Sequence, residues 1–243
     1  MNRSTIVLAV FGLITLGACA KRGANTPEVT AKAFGAAVVS VSGEKQFAGV
    51  GAPLEQPLVI QVNDAKGAAV AGARVHFSGS GGAFATPPEG LTGPDGQFSA
   101  TVNLGGAGGH YQILVTTPLA SGQNAAIRVD EIALGYQEMV GAKLNETHCI
   151  RCHDSESTPE RVSNHDNLNA KPHGFSEGAV LNAMSAADLA SIIAHGGVAL
   201  NKSAEMPPYG NTLTKQEIAA LVAFLRAVAD PPYPAQGVFY ASN

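Results

Sequence analysis

Basic side chains are scarce in this sequence. Lysine and arginine number 15 against 19 aspartates and glutamates, and only 14% of the 243 residues are charged. Such a composition lacks the basic surface that a nucleic acid requires, which excludes nucleic-acid binding as a main role. The whole charge deficit falls after Gly135, where 7 basic and 11 acidic residues give 7 − 11 = −4. This acidity fits ordinary solubility or a docking partner with a basic rim.

Long hydrophobic runs are also missing. The N-terminal apolar run, residues 6–16, has 16 − 6 + 1 = 11 residues, which suits a signal peptide and is too short for a permanent membrane-spanning helix. It ends in Leu16-Gly17-Ala18-Cys19, which resembles the lipobox of bacterial lipoproteins. The resemblance implies removal of residues 1–18 and lipid attachment at Cys19, on the periplasmic side of a bacterial membrane. The resemblance also favours the outer membrane, because Ala20 stands where such lipoproteins often carry an Asp for inner-membrane retention. The alternative to a lipobox is an ordinary cleavage site with an incidental cysteine.

The polar residues 19–35 have no helical or strand periodicity, and we interpret them as a lipid-anchored tether. Residues 36–131 carry short β-branched stretches separated by Gly, Pro, Asn and Asp, which predicts an all-β sandwich of about 100 residues. In it, Asp64 and Asp95 are expected to bond the backbone of tight turns. His76 and His110 are isolated and indicate surface or packing roles, so no catalytic group is evident.

Three stretches of this region resemble bacterial immunoglobulin-like domains or the related carboxypeptidase-regulatory-like sandwiches, in which Asp-Gly turns join the strands. The stretches are residues 62–67, 70–77 and 92–98. The resemblance implies a fold and no chemistry, so we expect a spacing, docking or binding role.

Cysteine is scarce as well, with three residues in the chain. Two of them stand in Cys149-Ile150-Arg151-Cys152-His153, the pattern that attaches a c-type haem. Thiols at this spacing reach both vinyl groups of one haem, and the next imidazole reaches the iron. The alternatives are a thioredoxin-like pair or half of a zinc site. With Cys19 assigned to lipid, no cysteine remains for a disulfide.

The second iron ligand is expected later in the chain than His153. Met206 lies in Glu205-Met206-Pro207-Pro208-Tyr209-Gly210, where two prolines and a glycine predict an extended loop. A Met/His pair raises the reduction potential relative to bis-imidazole ligation. Met139 and Met184 are the rival methionines, and His173 is a rival sixth ligand. The carbonyl that orients His153 is expected from Pro159 or Pro172.

Residues 185–226 resemble the second half of class I cytochromes c, through His195-Gly196-Gly197, the Met206 stretch and the closing helix 221–226. The resemblance implies an all-α cytochrome c domain, which we place at residues 132–230, with a C-terminal tail at 231–243. Capping boxes are predicted at Thr214 and, less completely, at Ser185. One departure is Asn145, which stands where the family has an aromatic residue at its helix crossing.

The predicted protein is therefore multidomain: a sandwich followed by a monohaem cytochrome with one covalent haem c. We expect a non-enzymatic electron carrier between a redox protein donor and acceptor, tethered to the membrane through Cys19. One alternative is a haem subunit of a larger oxidoreductase complex. Another is a haem sensor or peroxidase with a labile sixth ligand. The oligomeric state does not follow from the sequence.

Overall fold

The computed structural model describes residues 32–159, 161–234 and 237–241. The predicted signal peptide, Cys19 and most of the tether lie outside these described residues. Within them, a region of strands precedes a region of helices. This order confirms the predicted fold class, an all-β unit followed by an all-α unit.

The all-β unit consists of two packed sheets. One has the strand order β1-β3-β7-β5, and the other has the order β2-β9-β8-β4-β6, with β10 pairing with β8. The strands are β1 (Ala37–Ser42), β2 (Phe47–Gly49), β3 (Leu58–Asn63), β4 (Arg74–Gly79), β5 (Phe84–Thr86), β6 (Glu89–Leu91), β7 (Gln97–Asn103), β8 (Gly109–Pro118), β9 (Asn124–Leu134) and β10 (Val238–Phe239).

Alternating side chains place the sandwich core between these sheets. In β3, Leu58, Ile60 and Val62 are 0% exposed, while the residues between them are half-buried. In β8, Tyr111 and Ile113 face the same core. In β3 a period of two therefore buries one face of the strand against the opposite sheet.

The Asp-Gly turns form as the sequence predicts. The Asp64 Oδ1 atom accepts hydrogen bonds from the backbone N–H groups of Lys66 (2.8 Å) and Ala68 (2.9 Å). The Asp95 Oδ1 atom accepts one from Gln97 at 3.0 Å, and Gly96 between them has a φ of +74°. These bonds confirm the predicted turn role of both aspartates.

The all-α unit is built on two longer helices that cross. Its helices are α1 (Tyr136–His148), α2 (Ile150–His153), α3 (Gly178–Leu181), α4 (Ala186–His195) and α5 (Lys215–Ala227), with 3₁₀ turns at His165–Asn167 and Gly197–Leu200. The Thr214 hydroxyl accepts from the Glu217 N–H, and the Glu217 carboxylate accepts from the Thr214 N–H. Ser185 accepts from the Asp188 N–H at 3.0 Å. Both predicted helix starts are confirmed.

Glycine, rather than an aromatic pair, allows α1 and α5 to cross closely. A Cβ at Gly141 would collide with the Ala220 carbonyl oxygen and lie 2.7 Å from the Cβ of Phe224. Phe224 packs its ring edge-on against Phe47 of the sandwich, with centroids 5.6 Å apart. The aromatic residue of the closing helix therefore contacts the neighbouring unit, and Asn145 is not needed as its partner.

The two units share an apolar interface. Leu134 at the end of β9 belongs to one buried cluster with Ala142, Phe224 and Ala227 of the helices, and Ile132 packs against it. Strand β9 therefore continues past residue 131, because its last apolar side chains are covered by α1 and α5.

The segment predicted as a C-terminal tail returns to the sandwich. Its strand β10 pairs in parallel with β8, and the Phe239 ring stacks on Tyr111 at 4.6 Å between centroids. The Ser80 hydroxyl donates to the Phe239 carbonyl at 2.6 Å. Both ends of the helical unit are thus joined to one sheet. Among the described residues, no helix has the length and apolar character that crossing a membrane requires.

Candidate haem-binding site

The two cysteines lie at a sharp junction between helices. Cys149 ends α1 and precedes α2, and its carbonyl accepts hydrogen bonds from the N–H groups of Cys152 (3.0 Å) and His153 (3.1 Å). This single turn gathers the two thiols and the imidazole into one short segment. Both cysteines are free and half-buried. The arrangement suits attachment of one group through two thioether bonds.

The Cys149 thiol does not have the electrostatics of a redox-active cysteine. Burial raises the pKa of the Cys149 thiol to about 11, with a further contribution from Cys152. Thioredoxin-like motifs work with a depressed thiol pKa, so this environment disfavours that alternative. The zinc alternative needs further ligands, and the described ranges contain no group of three or more His, Cys, Asp or Glu side chains that could hold a metal ion.

The His153 imidazole is oriented by the backbone. Its Nδ1 atom lies 2.8 Å from the carbonyl oxygen of His173, and its ring stacks on Phe175 at 4.5 Å. A carbonyl only accepts, so Nδ1 carries the proton and Nε2 keeps a lone pair for a metal. Burial lowers the pKa of His153, which favours this neutral form. The orienting carbonyl belongs to His173, so the prediction of Pro159 or Pro172 is wrong. Pro172 is the neighbouring residue.

The Met206 loop is hydrogen-bonded to the C-terminal end of α4. Gly197 donates its N–H to the Met206 carbonyl at 3.1 Å, and Tyr209 donates its N–H to the Ile193 carbonyl at 3.0 Å. Gly196 has a φ of +79°, and a Cβ there would lie 2.7 Å from the Met206 carbonyl oxygen. The His195-Gly196-Gly197 motif therefore ends the helix and admits the loop against it.

Three further hydrogen bonds hold this loop. The Tyr209 hydroxyl donates to the His148 carbonyl at 2.8 Å, one residue before Cys149. The Glu205 carboxylate accepts from the Asn169 N–H (3.1 Å) and the Ala170 N–H (3.3 Å) of another loop. The Met206 loop is consequently held both before and after Met206.

Several of the predicted site residues pack against one apolar cluster. Its buried members are Leu181, Leu189, Ile193, Leu213, Ile218, Leu221, Val222 and Leu225. Cys149, Phe175 and Met206 all pack against it from its margin. The Phe175 ring in turn stacks on the His153 ring. A thiol, an imidazole with a free nitrogen and a thioether around an apolar cluster form the donor set that a c-type haem requires, so the residues fit this group.

The rival ligands are placed differently. Met139 is 39% exposed and stands ten residues before Cys149, about 15 Å along α1. The His173 imidazole bonds to Glu177 at 2.8 Å, and its own carbonyl already binds His153. Met184 does pack against the same cluster as Met206, and its carbonyl is held by Arg226. Met184 is therefore the rival that needs an experimental control.

Sequence reasoning missed several parts of this site. Phe175 and the His173 carbonyl lie in a loop that has no motif, and nothing in the sequence marks Glu177 as their neighbour. Gly141 and Tyr209 act through contacts with residues far away in the chain, which no local pattern predicts. A backbone carbonyl has no residue-type signal, which explains why the orienting group was misplaced.

Comparisons with known proteins identify the helical unit. Residues 137–225, 225 − 137 + 1 = 89 positions, match the family model "Cytochrome C oxidase, cbb3-type, subunit III". No curated protein sequence matches the chain.

Solved structures similar to this chain include the D0-D1 domain of intimin, at 18% identity and a TM-score of 0.32, over 42% of this chain and 48% of that one. The Yersinia pseudotuberculosis adhesin InvE has 13% identity and a TM-score of 0.32, over 40% of this chain and 32% of that one. This chain thus spans half or less of these structures' lengths. Residues 137–225, with their cysteine pair, histidine and methionine loop, form a helical cytochrome c domain.

Proposed function

We propose that the chain is a monohaem c-type cytochrome, tethered to a membrane, that carries single electrons between periplasmic or membrane redox partners. The cytochrome c domain supports a haem-based electron-transfer function. The observation that carries the finer proposal is that Cys149 and Met206 pack against one apolar cluster, while His153 stacks on Phe175 at the margin of that cluster. The sandwich serves as spacer or docking module.

The roles of the residues follow from their contacts. Cys149 and Cys152 would hold one haem by thioether bonds, and His153 and Met206 would ligate its iron. A bound haem supplies one-electron chemistry by cycling between ferric and ferrous iron. The His173 carbonyl keeps His153 in the tautomer that frees Nε2. The leucine and isoleucine cluster excludes water, and the bonds from Tyr209 and Glu205 hold the methionine loop in place.

Anchoring is the part of the proposal that rests on sequence. The lipobox-like residues ending at Cys19 support lipid attachment, and Ala20 supports an outer-membrane destination. The tether predicted at residues 19–35 would then link the lipid to the sandwich. Fractionation of cells that express the full chain tests this: the Cys19→Ala variant should move from the membrane to the soluble periplasmic fraction. Retention in the membrane without Cys19 would contradict lipid anchoring.

A spectroscopic experiment tests the haem ligands. The oxidised full-length holoprotein should show the weak red methionine-to-iron absorption band, and Met206→Ala should abolish it. Met184→Ala is the matched control, because that methionine packs against the same cluster, and it should keep the band. Loss of the band in the Met184 variant alone would reverse the assignment. Rapid carbon monoxide binding to untreated ferrous protein would favour a sensor or peroxidase instead.

A haem subunit of a larger oxidoreductase is the second candidate. It is favoured by the match of residues 137–225 to a model named for an oxidase subunit. Purification from the native membrane in mild detergent distinguishes the two functions. Stoichiometric co-purification with an oxidase or dehydrogenase would support the subunit, and a free holoprotein that exchanges electrons with soluble cytochromes would support the carrier.

A further inference from the structure

One peptide group connects the predicted axial histidine to a carboxylate. The carbonyl of His173 accepts the hydrogen bond from His153 Nδ1 at 2.8 Å. The N–H of the same peptide group, which belongs to Gly174, donates to Glu177 Oε1 at 2.7 Å. Imidazole, peptide and carboxylate thus form a continuous hydrogen-bonded chain.

The carboxylate is held in this position from several directions. Its Oε2 atom lies 2.8 Å from His173 Nδ1, so both oxygens face the same loop. The Glu177 N–H donates to the Gly174 carbonyl at 3.1 Å, and Gly178 donates its N–H to the Asp230 carbonyl at 3.0 Å. The hydrogen bond from His173 lowers the pKa of Glu177, followed by that from Gly174. Glu177 is therefore ionised at neutral pH and aligned with the peptide.

Peptide resonance transmits the effect of the Glu177 charge to the hydrogen bond of His153. An anion at the N–H end draws the proton and increases the negative charge on the carbonyl oxygen, because the two groups share one conjugated system. Hydrogen bonds in series strengthen one another by about 10–30% each. The His173 carbonyl is consequently a stronger acceptor for the His153 Nδ1–H than an isolated carbonyl. A stronger acceptor makes the imidazole a more electron-rich ligand.

We propose that Glu177 is a positioning residue that lowers the reduction potential of the haem iron through the His173–Gly174 peptide and the His153 ring. The inference rests on the proposed function, because it requires His153 as the axial ligand. An electron-rich imidazole stabilises ferric iron over ferrous iron. Glu177 therefore offsets part of the increase that a methionine ligand brings.

The test is a spectroelectrochemical titration of the full-length holoprotein with Glu177→Gln. Glutamine keeps an oxygen for the Gly174 N–H and removes the charge. At a fixed ambient potential near the midpoint, the ratio of reduced to oxidised haem should rise at least about threefold, which is about 28 mV at 59 mV per tenfold change for one electron. Glu156→Gln is the matched control, since it removes an exposed carboxylate three residues after His153.

Salt separates the hydrogen-bonded route from a general charge effect. Glu177 is half-exposed, at 50%, so its direct field is screened in 1 M salt, where the screening length is about 3 Å. The difference between wild type and Glu177→Gln should persist in 1 M salt, whereas any shift of Glu156→Gln should vanish. A Glu177→Gln shift that disappears with salt, or that equals the control, would overturn the inference.

A measurement on the wild type keeps the inference testable if the variant does not accumulate. In the diamagnetic ferrous protein, the Gly174 amide proton should resonate far downfield and exchange slowly, together with the His153 Hδ1 proton. Rapid exchange of the Gly174 amide would contradict the hydrogen-bonded chain. Failure of the proposed function can be told apart from failure of this inference. If the proposed function is wrong, the wild type will lack a covalent haem spectrum or a methionine band.

Discussion

The sandwich and the helical unit differ in how their cores are made. In the sandwich, Leu58, Ile60, Val75 and Ile113 are all 0% exposed, and strands of both sheets enclose them. In the helical unit, the buried cluster is 1–9% exposed, and half-buried functional residues such as Cys149 form part of its margin. The sandwich core is therefore closed by its own side chains. The helical unit instead has its proposed haem ligands at the edge of its core.

Removal of the two haem-binding cysteines should distinguish the two units most strongly. The Cys149→Ala, Cys152→Ala double variant should lose covalent haem, so that haem staining of the denatured full-length chain falls at least tenfold. Because a haem held at the cluster margin stabilises the state that binds it, the helices should also lose protection from hydrogen exchange. The sandwich strands should keep theirs. Equal loss of protection in both units would show that their stabilities are not separate.

The second effect concerns a buried acid in the sandwich. Glu131 is 0% exposed, and burial raises its pKa to about 8. Its folded-state pKa lies above the unfolded value of 4.5, so the folded state holds the extra proton. The free energy of unfolding of the sandwich should therefore fall as pH rises from 4.5 to 8, by on the order of a few kcal/mol.

Glu131→Gln checks this directly. Its side chain can still accept from the Gln46 N–H, the wild-type bond being 2.7 Å, and it cannot ionise. Urea unfolding of the variant, followed by circular dichroism of the strands, should no longer show this fall in the free energy of unfolding as pH rises. The exposed Glu55→Gln serves as control and should retain the wild-type slope. A wild-type profile that rises with pH would contradict the assignment.

The third effect tests the helix crossing. Gly141→Ala places a Cβ against the Ala220 carbonyl and the Phe224 side chain, so α1 and α5 must separate. Overpacking of this kind costs about 1–3 kcal/mol, which should appear in the unfolding free energy of the helical unit. Gly106→Ala in the sandwich is the control, because its Cβ would meet nothing within 4 Å. An unchanged helical unit in Gly141→Ala would show that the crossing tolerates a wider spacing.

The smallest effect measures the coupling between the units. Phe47 and Phe224 form an edge-on ring pair across the interface. A double-mutant cycle with Phe47→Leu and Phe224→Leu should give a coupling free energy of about 0.5–1.5 kcal/mol, measured by thermal unfolding of the holoprotein. Phe84→Leu, at an exposed sandwich position, provides the uncoupled reference. A coupling energy of zero would mean that the two units pack without mutual stabilisation.

Local signals in the sequence predicted much of what the structure contains. Asp64, Asp95, Thr214 and Ser185 act through neighbours within four residues, so their turns and caps could be inferred directly. The helix crossing could not be inferred in the same way. The contact of Phe224 with Phe47 joins residues far apart in the chain, and it depends on how the two units pack.

Residue types at short separations predict the order of the two units, the cysteine and histidine spacing and the methionine loop. Tertiary packing selected the carbonyl that orients His153, because any residue can supply a backbone oxygen. It also brought Glu177 to the peptide behind that carbonyl and returned the C-terminal strand to the sandwich. These contacts form when distant segments pack, and no local pattern encodes them.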